Sequence, residues 1–298
     1  MSNARGAVAA ALSVAALLTG CTAAGQDDQA SGSGQGAGSG ARPSAPPAPQ
    51  WDTRPTSIAS VGDSITRGFD ACSVLSDCPE VSWSTGTEVN SLARRLLPPT
   101  TEGSPARSWN YAKTGARMAD LPGQLRSAAE RRPELVTVLI GANDACRDDV
   151  DDMTPVSEFS ADFSSSLREL RRTLPKTQVY VASVPDLRRL WSEGRGNFLG
   201  KQIWKLGICP SMLKDSDDTD PEAVARRSRV EDRVRAYNSA LKDICGRDPL
   251  CRYDAAVHDY RFTTDELSKW DWFHPSKEGQ EVLADIAYRE ITRKEPTA

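Results

Sequence analysis

The segment SVGDSITRGFD, residues 60–70, decides the fold because a Gly-Asp-Ser run interrupts an otherwise apolar pattern there. The residues from 56 up to this run are typical of a buried strand, whereas Gly62, Asp63 and Ser64 do not favour a strand. A serine at the carboxyl end of a first strand lies where an open α/β sheet usually places its chemistry. The alternative is that Asp63 or Ser64 only caps the next helix.

Short apolar runs alternate with amphipathic stretches from about residue 54 onward. The runs that we predict as strands are 56–62, 108–113, 134–141, 177–184 and 251–257, and several are continuously apolar, as parallel strands covered on both faces are. The predicted helices are 87–97, 120–131, 156–173, 222–246 and 276–293, the last with Ser276 as its N-cap. Residues 186–221 lack this pattern and are expected to form an irregular excursion over the sheet. The alternation predicts an α/β fold, a three-layer α/β/α sandwich around a central parallel five-stranded sheet.

The first residues carry the features of an export signal. Arg5 supplies a positive charge, and the apolar run at 7–18 is too short to span a bilayer. The run ends in LTGC, whose Cys21 resembles the lipidated cysteine of bacterial lipoprotein signals; the alternative is an ordinary secretory signal with an incidental cysteine. We expect a lipoprotein signal peptide at 1–20, a flexible Gly/Ser/Pro-rich tether at 21–53 and one folded domain at 54–298. The protein is then exported, either to the outer face of the cell membrane through its lipid anchor or into the medium.

The cysteines agree with export. Seven are present, and setting Cys21 aside leaves six for the folded domain, an even number that predicts disulfide bonds in an oxidising compartment. Two pairs lie six positions apart, close enough to close a local loop, and the third pair follows by elimination. The expected bonds are Cys72–Cys78, Cys245–Cys251 and Cys146–Cys209, although six cysteines by themselves permit other pairings.

The composition argues against several partners. The 37 basic and 41 acidic residues give a formal net charge of −4, whereas a nucleic-acid-binding domain usually has a basic surface. A zinc site is an alternative use of the cysteines, but the sequence has no paired CxxC motif and only two histidines. We therefore expect no nucleic acid, no metal and no cofactor.

A catalytic serine needs a base, because its hydroxyl is a poor nucleophile until a proton is removed. The two histidines are His258 and His274. His274 lies in KWDWFHPSKEG, residues 269–279, and Asp271 precedes it by three residues, so the carboxylate can hold one ring nitrogen. The neighbouring aromatic residues are expected to exclude water from this pair: Trp270, Trp272 and Phe273. His258 lacks such surroundings, and we interpret it as structural.

A nucleophile and a base also need hydrogen-bond donors for the oxyanion that forms on attack. Gly115, in AKTGARM, lets the backbone approach a ligand closely, and Asn143, in LIGANDAC, follows the third predicted strand with an amide that can donate. The alternatives are a turn glycine and an Asx-turn asparagine. Either residue alone does not decide between the two interpretations.

Together these segments resemble the SGNH hydrolases, also called GDSL-type hydrolases. The shared features, in chain order, are Gly-Asp-Ser at 62–64, Gly115, Gly141-x-Asn143-Asp144 and Asp271-x-x-His274. The resemblance extends from about residue 57 to 287, and Ile65 replaces the leucine of the motif, a conservative change. Three segments are similar to the phospholipase B branch of that superfamily: SWSTG at 82–86, GANDAC at 141–146 and WDWFHPS at 270–276.

The resemblance implies a role for each matching residue. Ser64 is the implied nucleophile, His274 its base, and Asp271 the residue that orients the base. The implied oxyanion donors are the backbone N–H groups of Ser64 and Gly115 and the side chain of Asn143. Asp144 matches the motif and is expected to brace the loop.

The function implied is that of a serine esterase or lipase that cleaves carboxylic esters through an acyl-enzyme on Ser64. The phospholipase B likeness favours acyl esters of lipids or lysophospholipids. The alternatives are a carbohydrate O-deacetylase with the same catalytic set and a binding lipoprotein without activity. Burial should lower the pKa of His274 and Asp271 should raise it, so we expect no large net displacement of this pKa and a fall of activity at acid pH with one dominant titration.

Overall fold

The computed structural model describes residues 50–98 and 107–295. The predicted signal peptide at 1–20, Cys21 and the tether up to residue 49 lie outside the described residues. One parallel sheet has the order β2-β1-β3-β4-β5. Its strands are β1 Ile58–Gly62, β2 Ser108–Asn110, β3 Leu135–Leu139, β4 Gln178–Ala182 and β5 Cys251–Asp254. The predicted five-stranded parallel sheet is confirmed.

Helices pack around this sheet. They are α1 Ser64–Arg67, α2 Leu92–Leu96, α3 Leu121–Ala129, α4 Ala142–Ala145, α5 Val156–Thr173, α6 Leu187–Gly194, α7 Phe198–Trp204, α8 Pro210–Leu213, α9 Pro221–Cys245, α10 Ala256–Asp259 and α11 Lys277–Thr292. Short 3-10 turns lie at Pro79–Val81, Met118–Asp120, Val150–Asp152 and Thr264–Glu266. Every residue of β1, β3 and β4 is buried, as expected for strands that are covered on both faces. The predicted α/β sandwich is confirmed.

The region 186–221 differs from the prediction, because most of it is helical rather than irregular. It contains α6, α7 and α8, which are short helices with local start signals. The side chains of Asp186 and Asn197 cap α6 and α7 by accepting from the third N–H of each helix, and Pro210 begins α8. These helices are too short for apolar periodicity to predict them, and local signals at their N-termini determine where they begin.

The predicted helix 87–97 is also shorter in the structure. Only α2, Leu92–Leu96, is helical, because Ser91 caps it and accepts from the backbone N–H of Arg94. The last helix agrees with the prediction, and the Ser276 hydroxyl accepts from the N–H of Gly279 as its N-cap. For these two helices the pattern predicts that the element exists, whereas its ends depend on individual caps.

Three disulfide bonds are present: Cys72–Cys78, Cys146–Cys209 and Cys245–Cys251. Disulfides form in oxidising compartments, so they indicate an exported protein. Within the described ranges, no helix is both long and apolar enough to cross a bilayer.

Candidate active site

The Gly-Asp-Ser run forms the turn between β1 and α1. Gly62 has φ +151°, and a side chain there would place its Cβ only 2.3 Å from the carbonyl oxygen of Leu139. Asp63 is the N-cap of α1 and accepts from the backbone N–H of Ile65 at 3.0 Å. Ser64 is the first helical residue, so its hydroxyl is not used for capping. The capping interpretation is therefore correct for Asp63, and Ser64 is available for other contacts.

Ser64, His274 and Asp271 form a continuous hydrogen-bonded chain. The Ser64 Oγ lies 3.0 Å from His274 Nε2, and His274 Nδ1 lies 2.5 Å from Asp271 Oδ2. The other Asp271 oxygen accepts backbone N–H groups from Phe273 and His274, each at 2.9 Å. With Nδ1–H donating to the carboxylate, the lone pair of Nε2 faces the serine hydroxyl. This is the arrangement that the sequence predicts from the three-residue spacing.

Burial and neighbouring groups shift the pKa values of Asp271 and His274. Burial alone would raise the pKa of Asp271, but His274 and two backbone N–H groups hold it below its ordinary value. Burial alone would lower the pKa of His274, whereas Asp271, Asp70 and Asp63 together raise it. The pKa of His274 is raised on balance, so burial does not cancel the charge and hydrogen bond of Asp271, to which the charges of Asp70 and Asp63 add.

The aromatic residues around His274 differ in part from the prediction. Among the described residues, the rings of Phe69 and Phe273 lie edge-on to the imidazole, with centroids at 5.0 and 5.7 Å. Trp272 instead packs against Gly200 in α7, where a Cβ would lie 3.1 Å from the indole. The sequence pattern missed Phe69, which is distant from His274 along the chain.

Gly115 and Asn143 lie on two segments that are joined to each other. Gly115 has φ +81°, which favours glycine, and a Cβ on it would meet nothing within 4 Å. The Asn143 side-chain amide donates to the carbonyl of Ala116 at 3.0 Å. Asp144 accepts from the backbone N–H of Met118 at 2.8 Å. The loop after β3 is thus attached twice to the segment after β2.

The same edge of the sheet also carries Ser64. Parallel strands β2, β1 and β3 are neighbours, so the segments that follow them meet at their carboxyl ends. The backbone N–H of Lys113 donates to the carbonyl of Gly62 at 3.1 Å, and Gly62 pairs in register with Leu139. The predicted nucleophile, Ser64, and the predicted oxyanion donors on Gly115 and Asn143 therefore lie on adjacent segments.

Two buried glutamines hold the Gly-Asp-Ser turn, and the sequence pattern did not identify them. Gln124 of α3 accepts from the N–H of Gly62 at 2.7 Å and donates to its carbonyl at 2.9 Å. Gln280 of α11 donates to the carbonyl of Ile65 at 2.8 Å and accepts from the N–H of Trp83. A polar residue at a core-facing position of a helix is the one signal that could have found them.

His258 lies in α10, away from this chain of contacts. Its Nδ1 is 3.1 Å from the carbonyl oxygen of Val184, and its backbone N–H donates to the Ser183 hydroxyl at 2.8 Å. Both partners follow β4, so His258 connects the ends of β4 and β5. These contacts are of the kind that a structural histidine makes.

Residues 58–287 match the sequence profile of the family described as GDSL-like Lipase/Acylhydrolase. The chain belongs to this family. Among solved structures, the GDSL-family chain is similar to the psychrotrophic esterase EstA from Pseudoalteromonas sp., with 14% identity and a TM-score of 0.47 over 79% of this chain and 96% of that one. It is also similar to a family 3 carbohydrate esterase from Clostridium thermocellum, with 15% identity and a TM-score of 0.44 over 78% of this chain and 94% of that one. No curated protein matches the chain.

Proposed function

We propose that this GDSL-family protein is a serine esterase that hydrolyses carboxylic esters through an acyl-enzyme on Ser64. The observation that carries the proposal is the 3.0 Å contact between Ser64 Oγ and His274 Nε2, with Asp271 bound to the other ring nitrogen. A serine hydroxyl with a neutral imidazole at this distance can lose its proton as it attacks a carbonyl carbon.

The proposed reaction has two halves. In the first, Ser64 Oγ attacks the ester carbonyl carbon while its proton passes to His274 Nε2, and the imidazolium then gives that proton to the leaving alcohol. In the second, His274 takes a proton from water, the hydroxide oxygen attacks the acyl-enzyme, and the proton returns to Ser64 as the acid leaves. Asp271 stabilises the imidazolium in both halves.

The oxyanion of each tetrahedral intermediate needs donors that are already in place. We assign this role to the backbone N–H groups of Ser64 and Gly115 and to the side-chain amide of Asn143. One amide hydrogen of Asn143 is used by the carbonyl of Ala116, which fixes the orientation of the group and leaves the second hydrogen for the substrate.

We propose acyl esters of lipids or lysophospholipids as the substrates, in line with the phospholipase B-like segments. The supporting observation is an apolar rim, which we define as Val74, Leu75, Phe198 and Leu199. These side chains are 42%, 52%, 70% and 63% exposed. Groups of exposed apolar side chains are typical of surfaces that contact a partner or a ligand.

Each part of the apolar rim lies on a segment of which another residue contacts the loop that carries His274. Val74 and Leu75 lie in the turn closed by Cys72–Cys78, and the Asp70 carbonyl at its start accepts from the Ser268 hydroxyl. Phe198 and Leu199 lie in α7, whose Gly200 packs on Trp272. The rim is thus suited to contact the hydrocarbon chain of an ester.

A series of aryl esters from acetyl to palmitoyl tests the substrate class. We expect kcat/KM to be highest for medium or long acyl chains, and a Phe198→Ser/Leu199→Ser double variant to lose this preference while it keeps acetate hydrolysis. Val224→Ser in α9 is the matched control, because Val224 is also an exposed apolar residue, at 40%. Highest activity on acetate, with no effect of the rim variant, would contradict the lipid assignment and favour the carbohydrate O-deacetylase.

We also propose that Cys21 is lipidated and anchors the protein to the outer face of the cell membrane. The support is the LTGC sequence, followed by a Gly/Ser/Pro-rich tether. A Cys21→Ala variant should lose the acyl groups and leave the membrane fraction. Unchanged membrane association of the variant would contradict the anchor.

A further inference from the structure

Asp70 is a buried acid that lies beside the His274–Asp271 pair. Single ligand atoms of Asp70, Asp271 and His274 all lie within 4.8 Å of one another. One Asp70 oxygen accepts from the backbone N–H of Leu75, and the other is buried without a hydrogen-bond donor among the described residues. A buried carboxyl group whose second oxygen lacks a hydrogen-bond donor, within 4.8 Å of a histidine and of a second carboxyl group, needs an explanation.

The position of Asp70 is fixed by the turn that contains it and by the loop that carries His274. Its φ is +59°, a conformation that is uncommon for a residue with a side chain, and its N–H donates to the carbonyl of Ser76 at 2.9 Å. Its own carbonyl accepts from the Ser268 hydroxyl at 2.6 Å, and the Ser268 N–H donates to the carbonyl of His274 at 2.7 Å. Ser268 therefore connects the backbone of Asp70 directly to that of His274.

Three carboxyl groups act on the charge of the His274 ring: Asp271, Asp70 and Asp63. Asp63 is the N-cap of α1, and the charge of Asp144 in α4 helps to raise the pKa of Asp63. Within the described residues, neither Asp70 nor Asp271 forms an ion pair with an arginine or lysine. Burial, followed by the charge of Asp271, raises the pKa of Asp70 to about 6, while His274 opposes this. When the His274 ring is neutral, the carboxyl groups of Asp70 and Asp271 lie close together without a cation. When the ring is protonated, both carboxyl groups lie beside the imidazolium.

We propose that Asp70 is a positioning residue that acts through His274, as a second carboxylate behind the base. Its negative charge stabilises the imidazolium that forms when His274 takes the proton of Ser64. Because opposite charges at short range in a buried site attract strongly, His274 becomes a stronger base than Asp271 alone would make it. Asp70 does not contact the substrate, and its role rests on the proposed reaction of Ser64.

The test is the pH dependence of kcat/KM for a short aryl ester, which reports the titration of the free enzyme. Asp70→Asn keeps the side-chain volume and an oxygen that can accept from Leu75, but it removes the charge. We expect the midpoint of the acid limb to move down by about one pH unit and the plateau of kcat/KM to fall about tenfold, with KM little changed. Asp265→Asn is the matched control, because it removes an exposed charge from the segment that precedes the His274 loop. The control should leave the midpoint unchanged.

A measurement on the wild-type protein covers the case in which Asp70→Asn fails to fold. If full activity needs His274 deprotonated and Asp70 ionised, log kcat/KM should fall with a slope steeper than one around pH 6, where both groups titrate. A wild-type slope of one, or an acid limb that does not move in a folded Asp70→Asn variant, would overturn the inference. Either result, combined with an inactive Ser64→Ala variant, would leave the proposed esterase reaction in place.

Discussion

The carboxylate of Asp144 accepts a hydrogen bond from the backbone N–H of Met118 at 2.8 Å, and this contact joins the two segments that carry Asn143 and Gly115. Asp144 is fully buried, and burial raises its pKa to about 6. The contact fixes the separation of the segments that carry Gly115 and Asn143, the proposed oxyanion donors, and it is consistent with the bracing role expected from the motif.

Removal of this contact should weaken both stability and catalysis. Asp144→Ala leaves the Met118 N–H without its acceptor, which costs about 1–3 kcal/mol of unfolding free energy, and it should also lower kcat. Asp144→Asn retains an acceptor oxygen for Met118 and should therefore keep more of kcat than Asp144→Ala does. Denaturant unfolding and ester hydrolysis measure the two effects, with exposed Asp148→Ala as control. Wild-type values of both for Asp144→Ala would rule out the bracing role.

Asn143 should contribute to the transition state rather than to substrate binding. Asn143→Ala removes one fixed oxyanion donor, so kcat should fall about 100- to 1,000-fold while KM changes little. Steady-state kinetics on a soluble aryl ester measure this difference. A variant with nearly unchanged kcat would return Asn143 to the role of a turn residue that only binds the carbonyl of Ala116.

The Cys146–Cys209 bond should stabilise the protein more than the other two bonds. It spans 63 positions, whereas Cys245–Cys251 spans six, and a longer closed loop restricts the unfolded chain more. The loop-length difference corresponds to about 2 kcal/mol. Unfolding of the two double-alanine variants should show this order. Equal losses, or a larger loss for the short loop, would mean that native-state contacts dominate.

Asp63 should make the stability of the protein depend on pH. Burial raises the pKa of Asp63 from 3.8 to about 7, so the folded state binds more protons than the unfolded state between these values. Stability from this group is therefore present at low pH and is lost as pH rises toward 7. The unfolding free energy of Asp63→Asn, relative to that of the wild type, should therefore increase by about 2–3 kcal/mol from pH 5 to pH 8. Denaturant unfolding at the two pH values, with Asp148→Asn as control, measures this; a difference that does not vary with pH would contradict it.

The sequence predicts those parts of the structure that depend on local pattern. The strands β1, β3 and β4 are mostly apolar and buried throughout because both faces are covered, and Asp271 and His274 are only three residues apart. The carboxyl ends of adjacent parallel strands then bring Ser64 beside the segments of Gly115 and Asn143. Each of these relationships follows from strand order or from short spacing.

The remaining features depend on contacts between distant parts of the chain. The Phe69 ring lies edge-on to His274, and the Asp70 carbonyl accepts from Ser268 in the loop that carries His274; no periodicity marks such residues. Gln124 clamps the Gly62 turn from another helix, at a position where only burial distinguishes it from a surface glutamine. The raised pKa of His274 comes first from Asp271, which the local spacing predicts, and then from Asp70 and Asp63, which it does not.

The covalent reaction of Ser64 with a fluorophosphonate ester tests the central claim most directly. Intact-mass and peptide analysis should find one phosphonyl group per folded chain, on Ser64, with loss of ester hydrolysis in proportion to labelling. Ser64→Ala should be folded, unlabelled and inactive, and His274→Ala should label far more slowly because the hydroxyl has lost its base. Absence of labelling in the wild type would favour a binding lipoprotein without activity. A label on another residue, or near-wild-type turnover by Ser64→Ala, would contradict the assignment of Ser64 as the nucleophile.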